Sequence, residues 1–546
     1  MENKLLFDKL GVLLSTDGTV YNVNTVKRFL DYLAKLKYNT FYLEITAGYE
    51  LEGEPFFGYL RGKYNKAELK EIDSYAKSKG ITVIPTIQTL AHMGHIFRWP
   101  PYFEMRDIDA IMLVGEPKVY ALIEKIIKTM SECFSAKIIH LGMDEAFKLG
   151  RGKYYDLYGD RNRIDIMKEH LDKVLEICDK YGVIPEMWGD MYIRMAYGAY
   201  EKGPMTIDKS EEVAKSIAPN VKIHYWDYYS LEKEHYLGFI DKFKKITDNI
   251  VFDGGVWDYI GFQPDNTYSI KATEAAFNAC LESGIKEVTI TSWGGDSTNE
   301  TSIWAIMPTL VAASEFAHGN HDMDDIKAKF KDLMGIEFDA FIALESADKL
   351  AARDKENKES YLCNPTKYLL YNDAFAGIYD STVDESERKV FIDAAKKLSQ
   401  YVDHPVWGGL FKTAKAHAKL MEYKFDLGVK TRRAYKSGDK KELKRLAKKI
   451  YPIVIKKVKA FYLTFREQWY KENKPNGFEI QDIRFGGLMN RLTNCRRLLL
   501  DYLSGKVDRL EELDQKIVDY YDGTENLTKG AFFENAFSDE ASVLTL

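Results

Sequence analysis

A chain of 546 residues exceeds what one ordinary hydrophobic core can organise, so two or three domains are expected. Its 45% hydrophobic and 29% charged residues are the balance of a soluble globular protein, and a formal net charge of −6 carries no composition-level signal for nucleic acid. The five cysteines (Cys133, Cys178, Cys280, Cys363 and Cys495) form no C-x-x-C and are odd in number, which excludes a fully paired disulfide framework.

In chain order, "MENKLLFDKLGVLL" has no leader-like apolar stretch followed by a small-residue cleavage site. With free thiols expected, this reads as a cytoplasmic chain. Strands follow at "LGVLLS" near Leu10, "TFYLEI" at Thr40, "TVIPTIQT" at Thr82 and "KIIHLGM" at Lys137. They continue with "IPEMWGD" at Ile184, "KIHYWDY" at Lys222, "IVFDGGVW" at Ile250 and "EVTITSW" at Glu287. These are continuous apolar or β-branched runs, as in strands covered on both faces.

Between them lie amphipathic helix patterns. Val26, Phe29, Leu30 and Leu33 fall at i, i+3, i+4 and i+7, with Asn24 as the expected N-cap. Similar stretches cover 66–79, 117–133, 164–181, 231–246, 270–283 and 301–318, with a weaker one at 210–218. Eight strand–helix units point to an α/β fold, a (β/α)8 TIM barrel over residues 1–320. A doubly wound open sheet is the runner-up, but no G-x-G-x-x-G follows the first strand.

Beyond "HGNH" the strand signal fades, and residues 321–546 read as a mostly α-helical C-terminal domain. Within it, residues 430–459 carry thirteen Lys/Arg against two acids. Leu443, Leu446, Ile450, Ile453 and Val454 interrupt these charges at helical spacing, so a solvated helix face is expected rather than a nucleic-acid surface. No run of about 18 uncharged apolar residues offers a membrane span. Apolar faces on the long helices would allow a homodimer.

Barrel active sites gather at the C-terminal strand ends. Those ends hold Glu44; Gln88 with His92 and His95; Asp144-Glu145; Trp188 and Asp190; Trp226, Asp227 and Tyr228; Asp253 and Trp257; and Trp293 with Asp296 and Glu300. Four tryptophans at four consecutive strand ends suggest an aromatic-walled pocket. Two adjacent carboxylates disturb each other's ionisation, so one stays charged while the other holds its proton. A strand-end turn with a capping aspartate is the bland alternative.

"HLGMDE" (residues 140–145) resembles the H-x-G-x-D-E signature of family 20 glycoside hydrolases, the β-N-acetylhexosaminidases. "LAHMGH" resembles the family's G-H element at the end of the third strand. "EMWGD", "YWDYY" and "SWGGDSTNE" resemble later strand ends of the subgroup with a helical C-terminal extension, and "YNDAF" and "RFGGL" extend the likeness into that extension. The resemblance implies exo-acting, retaining removal of terminal β-linked GlcNAc or GalNAc without a cofactor, the substrate's own acetamido oxygen attacking the anomeric carbon. It makes Glu145 the acid/base, Asp144 the holder of the acetamido N–H, and His95 a relay behind Glu145. Trp188, Trp226 and Trp257 would wall the acetamido slot. Tyr228, or else Tyr225 or Tyr259, would anchor its carbonyl, and Trp293 would stack under the sugar. Asp296 or Glu300 would take the 4- and 6-hydroxyls, with His140 and Asp227 also lining the substrate site. The arginine that many members carry at the end of the first strand is missing from "LLSTDG", leaving Glu44 or Arg61 as substitutes.

Two other classes compete. A metal-dependent barrel hydrolase would use His92, His95, His140 and Asp144, although "LLSTDG" lacks the usual first-strand H-x-H. A non-catalytic sugar-binding barrel would have less need of the intact Asp-Glu pair.

Overall fold

The computed structural model describes residues 4–199, 207–259, 261–294, 300–348 and 365–518. Eight parallel strands close in sequence order: β1 Lys9–Ser15, β2 Thr40–Glu44, β3 Thr82–Thr86, β4 Ile138–His140, β5 Ile184–Trp188, β6 Lys222–Trp226, β7 Ile250–Gly255 and β8 Glu287–Ser292. Pairing of β1 with β8, from Lys9 opposite Glu287 to Leu14 opposite Ser292, closes the ring. The architecture is therefore the (β/α)8 barrel and not the open doubly wound sheet.

The helices follow their apolar spacing. In Val23–Lys35, Val26, Phe29, Leu30 and Leu33 are all buried. Each stabilises by roughly 1.5–3 kcal/mol relative to exposure, as an upper bound. The N-cap is Asn22 rather than Asn24, its side chain accepting the Thr25 N–H at 2.9 Å. Asn65 and Glu68 cap Lys66–Ser78 reciprocally. The weak 210–218 pattern gives only Ser210–Ala214.

The chain divides into two compact units. The first, Met1–Val256 with Thr267–Ser297 and Thr309–Lys329, contains all eight strands. Its barrel interior is charged: buried Glu186 on β5 accepts from Tyr42 Oη (3.0 Å) and Lys9 Nζ (3.4 Å). His224 on β6 lies 2.7 Å from Asp253 through Nδ1 and 3.4 Å from Glu186 through Nε2. Although burial opposes its charge, the two carboxylates push the His224 imidazole up to about 9.

The second unit comprises Trp257–Asn266, Thr298–Pro308 and Phe330–Leu546. Its long helices include Gly408–Lys424, Tyr451–Glu472 and Phe478–Leu503. A core of Phe461, Phe465, Trp469, Phe478 and Phe485 joins them. Leu443, Leu446 and Val454 of the basic stretch enter that core, whereas Ile453 faces solvent. The basic side chains thus occupy the outer face of ordinary packed helices. Asp373 of "YNDAF" takes a two-pronged bond from Arg491, at 2.6 and 2.9 Å. Cys133, Cys178, Cys280 and Cys495 are free and buried; Cys363 lies outside the described residues. Among the described residues, no helix is long and apolar enough to cross a membrane.

Candidate active site

The site starts where β4 stops. After His140 the backbone turns through left-handed conformations at Gly142 (φ 72°), Met143 (φ 70°) and Glu145 (φ 53°). Positive φ at two non-glycine residues within three positions is strained and needs support from its surroundings. Glycine is required at 142, because a Cβ there would collide with the Gln88 side chain and the Ile87 carbonyl. That clearance lets Gln88 lie across the turn. Its Oε1 accepts the Met143 N–H at 3.3 Å, and its Nε2 donates to Asp144 Oδ1 at 2.9 Å.

Asp144 Oδ2 meets His92 Nε2 at 3.1 Å, and the same nitrogen is 3.6 Å from Glu145 Oε2. Burial alone would raise the Asp144 carboxyl, but His92 and the Gln88 amide outweigh it and hold it below its ordinary value. The Asp144 side chain is 15% exposed and that of Glu145 41%. One carboxylate is thus fixed and ionised while its neighbour stays open to solvent.

Asp190 follows β5 and is fully buried. Its Oδ2 accepts the Glu145 N–H at 3.0 Å, pinning the left-handed residue from behind. Burial, then the charges of Asp144 and Glu145, push the Asp190 carboxyl up to about 8, so it is protonated at neutral pH.

His92, not His95, faces both carboxylates. Its own left-handed backbone (φ 57°) turns the ring back toward β4. His95 Nδ1 bonds the His92 carbonyl at 3.3 Å, and its Nε2 is buried without a hydrogen-bond partner. Burial holds His95 down at about 4, and no hydrogen bond joins it to Glu145.

Several aromatic side chains converge in the barrel unit. Trp188 and Trp293 pack at 6.1 Å between centroids, and Trp226 and Tyr228 at 6.0 Å. Gly255 on β7 makes room for the Tyr228 ring, which a Cβ would strike at 2.7 Å. Burial, then Tyr229, then the charge of Glu145 raise the Tyr228 phenol well above its ordinary value. Tyr225 instead lies among Phe239, Phe243 and Phe252, and its hydroxyl bonds Asp227.

Other expected substrate contacts are spent on structure. His140 is fully buried beneath Trp188 (4.3 Å between centroids), and its Nδ1 accepts the Gly142 N–H at 3.2 Å. It therefore supports the wall from beneath, away from solvent. Both Asp227 oxygens are bonded, Oδ2 by Tyr225 and His235 and Oδ1 by the Tyr229 N–H. Glu44 is buried with its carboxylate held by Ser15 and Thr46, and burial with nearby Asp17 raises it to about 7. Arg61 pairs with Asp17 at 3.0 Å.

Trp257 and Glu300 belong to the second unit. There the Glu300 carboxylate is sealed from solvent by Lys367 (2.9 Å), Gln481 (3.0 Å) and Arg484 (2.7 Å), which leaves no open acceptor for sugar hydroxyls. Asp296 lies outside the described residues.

Residues 11–181 match the catalytic domain of glycosyl hydrolase family 20, and residues 339–531 match the Glycoside Hydrolase 20C C-terminal domain. The chain belongs to glycoside hydrolase family 20. Among the family's curated relatives, a probable beta-hexosaminidase of Arthroderma benhamiae is 24% identical over 278 residues, covering 45% of this chain and 41% of that protein. Human hexosaminidase D is 30% identical over 161 residues, 26% of this chain and 33% of its own. The chain thus spans less than half the length of these relatives. A solved Flavobacterium johnsoniae chitobiase is 15% identical, with 93% of this chain and 74% of that one covered at a TM-score of 0.46.

Of the metal set considered from sequence, only His92 and Asp144 meet. With Glu145 they place three donor atoms within 4.8 Å, whereas His95 and His140 stand apart. Gln88, His92 and Asp190 are the residues whose supporting roles sequence reasoning passed over. All three sat in view at strand ends, but their partners are 45 to 56 residues away.

Proposed function

We propose that the chain is an exo-acting, retaining β-N-acetylhexosaminidase that removes terminal GlcNAc or GalNAc by substrate-assisted catalysis. The observation that carries this reading is the Asp144–Glu145 pair, with one carboxylate ionised and braced and the other open. An anchored anion beside an accessible acid suits a reaction that needs a proton donor and a fixed negative charge at adjacent points.

In this mechanism Asp144, fixed by Gln88 and His92, accepts the N–H of the 2-acetamido group and turns its carbonyl oxygen toward the anomeric carbon. That oxygen attacks as Glu145 gives its proton to the departing glycosidic oxygen, and the C1–O bond breaks. Asp144 offsets the positive charge of the oxazolinium. Glu145, now a carboxylate, takes a proton from the water that reopens the ring, returning the β anomer. An intramolecular nucleophile held this way lowers the barrier by several kcal/mol, within the roughly 7–11 kcal/mol available to ideal orientation. Trp188, Trp226, Trp293 and Tyr228 would shape the acetamido slot and the sugar platform.

Two aryl β-glycosides differing only at C2, an N-acetylglucosaminide and a glucoside, test the reading. Cleavage of the first alone, lost in Glu145→Gln and giving the β anomer by NMR, is expected. Equal cleavage of both would instead assign the nucleophile to the enzyme. The His92, Asp144 and Glu145 donors favour one second reading, a metal-assisted hydrolase. It predicts loss of activity with a chelator and recovery with a divalent ion; the glycosidase reading predicts neither.

A further inference from the structure

A cavity of about 720 Å³ opens within the barrel unit. Phe147, two residues after Glu145, and Met191 form part of its apolar side. Among the described residues lining it, five are cationic and one, Asp160, is acidic. Arg151 pairs with Asp160 at 2.6 Å, and Arg161 with Glu169 at 3.2 Å. Arg163 forms no ion pair among the described residues, and its buried Nε has no hydrogen-bond partner. Burial and then the neighbouring Arg151 both press the Arg163 guanidinium below its ordinary value. Asp160 offsets part of this charge but is itself paired with Arg151, so a partly desolvated cation without an ion pair of its own favours an arriving anion. Arg163 is also the first residue of the 19-residue Arg163–Tyr181 helix, so the helix dipole adds positive potential at the same place.

The cavity is physically tied to the catalytic turn. Arg194 stacks on the Phe147 ring, its Cζ 4.3 Å from the centroid. One helical turn earlier, on the Asp190–Tyr197 helix, Asp190 holds the Glu145 N–H. A general acid stands beside the bond to the leaving group, and Phe147, whose N–H bonds the Glu145 carbonyl at 2.7 Å, joins the cavity to that acid. The exposed Phe147 ring suits the flat face of a sugar or an aryl group.

We infer that this cavity is a leaving-group subsite for anionic aglycones, glycans or conjugates bearing a carboxylate, sulfate or phosphate, with Arg163 as the charge-recognising residue and Phe147 as the stacking platform. Guanidinium groups match planar or tetrahedral oxyanions with paired N–H donors, which a single lysine does not. This inference rests on the hydrolase reading for its biological sense, but the cavity can be probed without turnover.

Calorimetric titration with benzoate, phenyl sulfate and phenyl phosphate, against benzamide as the uncharged control, tests it directly. At least tenfold tighter binding of one or more anions, lost in Arg163→Gln and only partly restored by the point charge of Arg163→Lys, is expected. Preference for benzoate would assign carboxylates, and preference for the esters would assign sulfated or phosphorylated partners. Equal binding of anions and benzamide, or an unchanged preference in Arg163→Gln, would overturn the assignment. In parallel, kcat/KM is compared for 4-carboxyphenyl and 4-carbamoylphenyl N-acetyl-β-glucosaminides. The carboxylate-to-amide ratio should fall about tenfold in Arg163→Gln, with the amide substrate unaffected. Turnover of both with the same ratio in wild type and variant removes the subsite and leaves the hydrolase. Anion binding without turnover of either keeps an anion site at Arg163 but overturns its role as a leaving-group subsite.

Discussion

Two carboxylate–histidine clusters of the barrel unit are built from the same residue types and put to opposite uses. Inside the barrel, Glu186, Asp253 and His224 are buried and offset one another's charge, with Lys9 and Tyr42 completing the set. At the end of β4, Asp144 and His92 are braced while Glu145 remains 41% exposed on a left-handed backbone. Charge and proximity alone therefore do not mark a site. What distinguishes the β4 cluster is a group left open to solvent and a backbone conformation that its neighbours must enforce.

The sharpest way to break this comparison is to neutralise one carboxylate in each cluster. Glu145→Gln should lower kcat/KM on an aryl N-acetylglucosaminide by about 10³-fold or more while leaving the melting temperature nearly unchanged. Glu186→Gln should do the reverse. Urea unfolding should register a loss of roughly 3–5 kcal/mol, because the cations facing it become uncompensated, while activity per folded molecule stays within a few-fold.

The pH dependence of stability refines the same contrast. The folded pKa of His224 is raised to about 9 from an unfolded value near 6.5, so its contribution is complete below about pH 6.5 and is lost as pH rises through 9. Denaturation midpoints should fall over that window by the equivalent of roughly 3 kcal/mol, and His224→Gln should flatten the fall. A smaller effect is expected at Asp190. Asp190→Ala should cut kcat about 10- to 100-fold with KM little changed, whereas Asp190→Asn, which still accepts the Glu145 N–H, should retain most activity. Equal losses in both variants would count against a positioning role. Smallest of all, Lys168→Ala breaks an exposed pair with Asp172 and should move stability by no more than about 0.5 kcal/mol.

The strands were legible because sheets buried on both faces require continuous β-branched runs, and the helices because a buried stripe repeats every 3.6 residues. Asp144-Glu145 was legible as a dipeptide at a strand end. Its support was not. Whether His92 or His95 turns toward it depends on the backbone angle at His92, which the sequence does not display. Asp227 and Glu44 read as available acids because sequence shows nearby donors such as Tyr225, Tyr229 and Thr46 but not which way they turn, and Glu300 because its donors are distant. Lys367, Gln481 and Arg484 lie 67, 181 and 184 residues from Glu300. Asn22 displaced Asn24 for a milder reason, since both precede the same apolar stripe and helix starts are defined only to a residue or two.

The turn at Gly142, Met143 and Glu145 also bears on how the protein can be altered. Holding two non-glycine residues left-handed costs about 2–4 kcal/mol, a sizeable fraction of the net stability of a typical domain. Selection for heat resistance alone would therefore favour substitutions that let this segment relax. The hardiest descendants of such a selection would tend to be the least active, and a useful thermostable variant should draw its gains from surfaces remote from β4.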